Sequence, residues 1–201
     1  MPALSRLGIC ENRCQFRCPD VIFHKSAFPS ALYAVTMIRV AILTVSDKGA
    51  RGERIDTSVA EVRQLLQQGP FAEVDYQVVP DEQALIRAKL RIWADGEGVD
   101  LILTSGGTGL ALRDRTPEAT REVIEREVPG LAERMRYVGM QHNLLAALSR
   151  GVCGVRRQTL IVNLPGSPKG ARESLEAILG ILPHAVDTIT GGRSAPEAWH
   201  Q

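Results

Sequence analysis

Aromatic residues make up only 4% of this 201-residue chain, and it holds just four cysteines. Three of them, Cys10, Cys14 and Cys18, crowd near the N-terminus while Cys153 stands far away, so no disulfide framework staples the fold. Their four-residue steps differ from the C-x2-C pairs of zinc sites, and only His24 lies near as a further ligand, which makes a metal site there the lesser expectation. No sign of charge dominates either: 24 Lys and Arg face 23 Asp and Glu, and a net charge of +1 supplies no extended field for nucleic acid or an anionic membrane. No apolar run approaches the ~20 residues that a membrane-spanning helix needs, and the N-terminus lacks the continuous apolar stretch of a signal peptide. The expectation is a cytoplasmic protein without a nucleic-acid or membrane partner, which must hold any anion by local contacts.

What the chain does have is 201 residues at 44% apolar content, long enough to bury one good core and too short for two comfortable domains with a linker. Residues 1–36 show no sustained periodicity and are expected to be a disordered or mis-annotated N-terminal extension, with translation starting at Met37. From 37 to 192, short β-branched runs alternate with helical patterns, the signature of an α/β layer structure with a mainly parallel sheet. Residues 193–201 read as a loose tail.

Strands are expected at 38–45, 74–79 and 99–104, and helices at 57–67, 82–93 and 117–126, with one or two more over 131–148. Residues 152–155 and 159–164 flank a short turn and predict a hairpin, hence one antiparallel strand. A last helix is expected from Lys169 to about Ile189, bent or broken near Pro183. The charges from Glu118 to Arg136 read as a solvated helix face, and Cys153 as core packing.

In open α/β sheets ligands sit beyond the carboxyl ends of the strands, so the residues just after each strand carry the functional signal. The richest is Thr104-Ser105-Gly106-Gly107-Thr108-Gly109, whose glycines let main-chain N–H groups approach an anion and whose hydroxyls add donors. It is neither a Walker loop nor a G-x-G-x-x-G turn, and packing alone is its plain alternative. Asp81 and Asp114 flank this turn in the reading, and two carboxylates there suit a shared Mg²⁺. Helix capping by Asp81 and Thr116 is the competing explanation. Asn163-Leu164-Pro165-Gly166-Ser167-Pro168-Lys169-Gly170 opens the last helix as a second anion site, or as a simple connection with proline at an early helical position.

These strings, together with Leu43-Thr44-Val45-Ser46-Asp47, Val79-Pro80-Asp81-Glu82 and Arg113-Asp114-Arg115-Thr116-Pro117-Glu118-Ala119, resemble the molybdopterin adenylyltransferase family of molybdenum-cofactor biosynthesis. The resemblance runs from about Ile38 to Gly192 and matches in order and spacing. It implies a three-layer α/β/α sandwich, a molybdopterin- and nucleotide-binding catalytic domain over 37–192, and Mg²⁺-dependent joining of molybdopterin to AMP from ATP with release of pyrophosphate. It further implies a homotrimer or hexamer and hand-over of the product to a molybdate-inserting protein. The family's catalytic, metal-holding aspartates fall on Asp81 and Asp114. Nucleotide is placed on Ser46, Asp47, Thr104, Ser105, Gly106, Gly107, Thr108 and Gly109. The pterin and its phosphate are placed near Asp56, Ser58, Arg113, Asn163, Pro165, Gly166, Ser167, Pro168 and Lys169. One departure is Val59, where the family usually has glycine. A pterin-binding carrier that catalyses nothing is the alternative function.

Overall fold

The computed structural model describes residues 37–53, 56–96 and 98–192. The expected N-terminal extension with its three cysteines and the tail at 193–201 lie outside the described residues.

Six strands, β1 (Ile38–Val45), β2 (Phe71–Val79), β3 (Leu101–Ser105), β4 (Arg126–Glu127), β5 (Cys153–Arg156) and β6 (Thr159–Leu164), form one sheet in the order β2-β1-β3-β6-β5-β4. β2, β1, β3 and β6 pair in parallel, whereas β5 runs against both β6 and β4, so one strand opposes the rest as expected. The helices are α1 (Asp47–Ala50), α2 (Thr57–Leu66), α3 (Gln83–Asp95), α4 (Thr116–Arg121), α5 (Pro129–His142), α6 (Pro168–Ile178) and α7 (Leu182–Thr190), with a 3₁₀ turn at Leu144–Leu148.

The central strands β1, β3 and β6 are largely apolar because both their faces are covered, and successive side chains alternate between two cores. Val40 and Ile42 of β1, Leu101 and Leu103 of β3, and Leu160 and Val162 of β6 pack with residues of α2, α5, α6 and α7. Their neighbours Ala41, Leu43, Ile102 and Ile161 face the other way, against Ile86, Leu90 and Trp93 of α3 and Ala119 of α4. Period-two alternation against helices on both sides is what makes the molecule α/β/α. Val59 sits in the first of these cores at 1% exposure.

Several boundaries differ from the sequence reading. β2, an edge strand, starts at Phe71, and its exposed Glu73 and Val74 break the apolar pattern there. The helix expected over 117–126 ends at Arg121, and Arg126 and Glu127 instead pair with β5. The C-terminal helix, by contrast, is broken near Pro183 as expected: α6 ends at Ile178, and Pro183 lies in the first turn of α7.

Candidate active site

The chain leaves β1 for β2 on one side and later inserts β3 on the other, so the carboxyl ends of β1 and β3 lie side by side, with Thr44 opposite Ser105. That reversal is where open α/β sheets leave a crevice. The glycine turn fills its mouth. Gly106 has φ +105°, and a Cβ there would collide with the Val45 carbonyl oxygen; Gly107 has φ +62° and no room beside the Thr116 hydroxyl. The turn is fastened from three sides: the Gly106 amide donates to Leu164 O, and the hydroxyl and amide of Thr116 donate to the carbonyls of Gly106 and Gly107. Among the described residues the amides of Gly107, Thr108 and Gly109 find no acceptor, which leaves three donors for an anion.

Thr116 is therefore not the cap of α4; it is the first helical residue, and the cap position is Arg115. Asp81 is not a helix cap either, since Glu82 holds that position before α3. Instead the amide of Asp47 donates to Asp81 Oδ2 at 2.9 Å, and the amide of Asp81 donates to Asp47 Oδ1 at 2.8 Å. Arg113 reaches both carboxylates, touching Asp47 and standing 3.4 Å from Asp81 Oδ2. Burial raises the Asp81 carboxyl above the usual range, and the nearby charge of Asp114 raises it further. Asp114 is folded back on its own loop, with Oδ2 accepting from the Ala111 amide at 3.0 Å. Asp114 thus stands within electrostatic reach of Asp81, and Oδ1 of each accepts no hydrogen bond among the described residues.

Beside this cluster a cavity of about 200 Å³ is lined by Thr44, Ser46, Asp56, Ser58, Ser105, Gly106, Gly107 and Gly166. Ser46 caps α1 and Asp56 caps α2. Burial works to raise the Asp56 carboxyl, but hydrogen bonds from Ser58 and Thr44 outweigh it and hold the group below the usual range. The Ser58 hydroxyl also meets the Ser105 hydroxyl at 2.8 Å, and Ser105 donates to Pro165 O at 3.3 Å. Residues expected at the pterin and residues expected at the nucleotide therefore share one small cavity.

The second anion turn lies against the first: a Cβ on Gly166 would stand 3.0 Å from Gly106 Cα. Ser167 caps α6 by accepting from the Gly170 amide, Pro168 is its first residue, and Lys169 is largely exposed, 3.8 Å from Glu173. Pro165, Ser167 and Lys169 line a second cavity of about 390 Å³ with Thr108, Gly109, Met135 of α5 and Leu145 of the 3₁₀ turn. Thr104 and Asn163 face neither cavity. They are 0% and 1% exposed, and the Asn163 amide donates to the hydroxyls of Thr104 and Thr120. Their task is to lock β3 to β6 behind the turns.

Sequence reasoning missed Arg150 and misplaced Glu118, which is half-buried and paired with Arg150 instead of lying on a solvated face. It also missed Met135 and Leu145, whose helical spacing reads only as packing. Cys153 is buried in the core and its thiol is pushed up to about 12, in line with a packing role. Among the described residues no three His, Cys, Asp or Glu side chains gather as a metal cluster.

Residues 41–184 match the family model described as "Probable molybdopterin binding domain". The chain is 41% identical over 157 residues to a molybdopterin adenylyltransferase of Helicobacter pylori, covering 77% of this chain and 89% of that one. It is 45% identical over 154 residues to the molybdenum cofactor synthesis protein cinnamon of Drosophila melanogaster, 76% of this chain but only 26% of that protein. Among solved structures, the molybdopterin biosynthesis enzyme MoaB of Thermus thermophilus superposes with a TM-score of 0.75 at 65% identity, over 79% of this chain and 100% of that one. The six-stranded α/β fold, the match over residues 41–184 and these relatives agree: the chain belongs to the molybdopterin-binding domain family.

Proposed function

We propose that this protein is a molybdopterin adenylyltransferase: it joins molybdopterin to the AMP moiety of ATP and releases pyrophosphate. The observation that carries this reading is the gathering of Asp81, Asp114 and Arg113 at the strand ends, beside a glycine turn with three uncommitted amides.

The acceptor is the terminal phosphate of molybdopterin, already largely dianionic near neutrality because its second pKa is about 6. No general base is required. The difficulty is bringing one anion against another, and the protein meets it with fixed positive ends: amides of the glycine turn, the guanidinium of Arg113 and the ammonium of Lys169. Asp81 and Asp114 fit Mg²⁺, since they are hard oxygen donors that repel one another and each keeps one oxygen uncommitted. Held there by the two carboxylates, Mg²⁺ would supply charge neutralisation between the phosphates. Nucleotide is assigned to Ser46, Asp47 and the turn from Ser105 to Gly109, and pterin to Asp56, Ser58 and the turn from Pro165 to Lys169. Thr104 and Asn163 support those turns from behind.

The working molecule is proposed to be a homo-oligomer, a trimer or hexamer, in the cytoplasm that passes its product to a molybdate-inserting protein. Residues 37–192 form the catalytic domain in this reading. Purified protein incubated with molybdopterin and MgATP is expected to yield adenylylated pterin by mass spectrometry and an equal amount of pyrophosphate. Bound but unaltered molybdopterin would instead identify a carrier.

A further inference from the structure

The stretch from Leu110 to Arg113 has no buried side chain; Leu110 is 65% exposed and Leu112 is 91% exposed. Yet it delivers Arg113 and Asp114 to the aspartate cluster, so something other than apolar packing must fix its path. The fixing comes from Arg150. Its amide donates to Thr108 O at 2.9 Å, Nε to Gly109 O at 2.7 Å and one terminal nitrogen to Asp114 O at 2.6 Å. The other terminal nitrogen pairs with Glu118 at the start of α4. One guanidinium thus spans both ends of the loop and the helix that follows it. Behind it, Arg136 of α5 donates to Gly151 O at 3.0 Å and anchors the segment that carries Arg150. Glu118 Oε2 is buried without a partner among the described residues, so Arg150 is the charge that makes this carboxylate tolerable in place.

We infer that Arg150 is a positioning residue for adenylyl transfer: it clamps the loop from Gly109 to Asp114 and thereby sets where Asp114 and Arg113 stand. The inference rests on the proposed reaction for its kinetic consequence, but the clamp has a signature of its own. A planar fork with donors in three directions is what the geometry uses, and a lysine ammonium on a flexible stem does not reproduce it.

The test uses the full-length protein, with Arg150→Lys and Arg150→Gln as variants. Trypsin cleavage after Arg113 and Arg115 and amide exchange across 108–118 report the loop without reference to catalysis. Turnover with molybdopterin as a function of Mg²⁺ reports its consequence. We expect at least tenfold faster cleavage in Arg150→Gln, with exchange of β1 and β3 amides unchanged. Both variants should lose about 10²-fold in kcat, as a displacement of ~1 Å at a reacting centre can cause, and require several-fold more Mg²⁺ for half-maximal rate. Methylguanidinium should restore part of the Arg150→Gln rate. Parental loop protection in Arg150→Gln, or a loosened loop with full turnover, overturns the inference. A parental protein that turns over no molybdopterin counts against the proposed function, and the loop measurements then still decide the clamp.

Discussion

Asp47 and Asp81 hold each other by exchange: each donates its main-chain amide to the other's carboxylate, at 2.9 and 2.8 Å, across the ends of two adjacent strands. The pair joins the turn after β1 to the turn after β2. Asp81 Oδ2 takes both the Asp47 amide and the Arg113 guanidinium, while Oδ1 accepts no hydrogen bond among the described residues.

Breaking this exchange should therefore act on Asp81 at a distance. Asp47→Ala leaves the Asp81 amide without its acceptor, and turnover is expected to fall about 10–100-fold, within the range for misplaced catalytic groups. Asp47→Asn keeps an oxygen acceptor and should retain more of the rate. The comparison of kcat for the two variants checks this.

Asp81 should also cost stability. Its carboxyl is raised by burial and then by the charge of Asp114. A group raised in the folded state favours folding while protonated, and that contribution is lost as pH climbs through the folded value. Asp81→Asn removes the cost of the charge, so its unfolding midpoint at neutral pH is expected to exceed the parent's by a few degrees, the gap closing as pH falls toward about 4. Thermal scans of both proteins across that range provide the check.

Asp56 has the opposite sign. Hydrogen bonds from Ser58 and Thr44 hold its carboxyl low against burial, so its contribution is present above the ordinary aspartate value and fades as pH falls through the folded one. Asp56→Ala removes the cap of α2 and should cost about 1 kcal/mol near neutrality and less in acid, read from denaturant midpoints.

At Gly106, the backbone leaves no room for a side chain. Gly106→Ala places a Cβ against the Val45 carbonyl at φ +105°, and the expected cost is about 3 kcal/mol or more, with loss of nucleotide binding. Chemical denaturation and calorimetry with ATP measure the two effects.

The central parallel strands were legible because two covered faces demand mostly apolar runs: Ile38–Val45 and Thr159–Leu164 are strands to the residue. β4 was not, since Arg126 and Glu127 carry no pattern and are strand only through main-chain pairing with β5. The glycine turn was legible because close backbone approach and positive φ restrict residue type. Whether a polar residue beside a turn faces ligand or core is decided by tertiary neighbours, which is why Thr104 and Asn163 stood with the ligand-facing residues in the sequence reading. Arg150 lies between Ser149 and Gly151 with no local signal, and its partners Gly109 and Asp114 are 41 and 36 residues away.

The central claim is that Asp81 and Asp114 serve transfer and not binding. It is tested by measuring molybdopterin affinity and adenylyl transfer on the same preparations of Asp81→Asn and Asp114→Asn. The account predicts near-parental pterin affinity with transfer lowered about 10²–10³-fold, the scale seen when an electrostatic group at the reacting centre is removed. Undiminished transfer in both variants would contradict it.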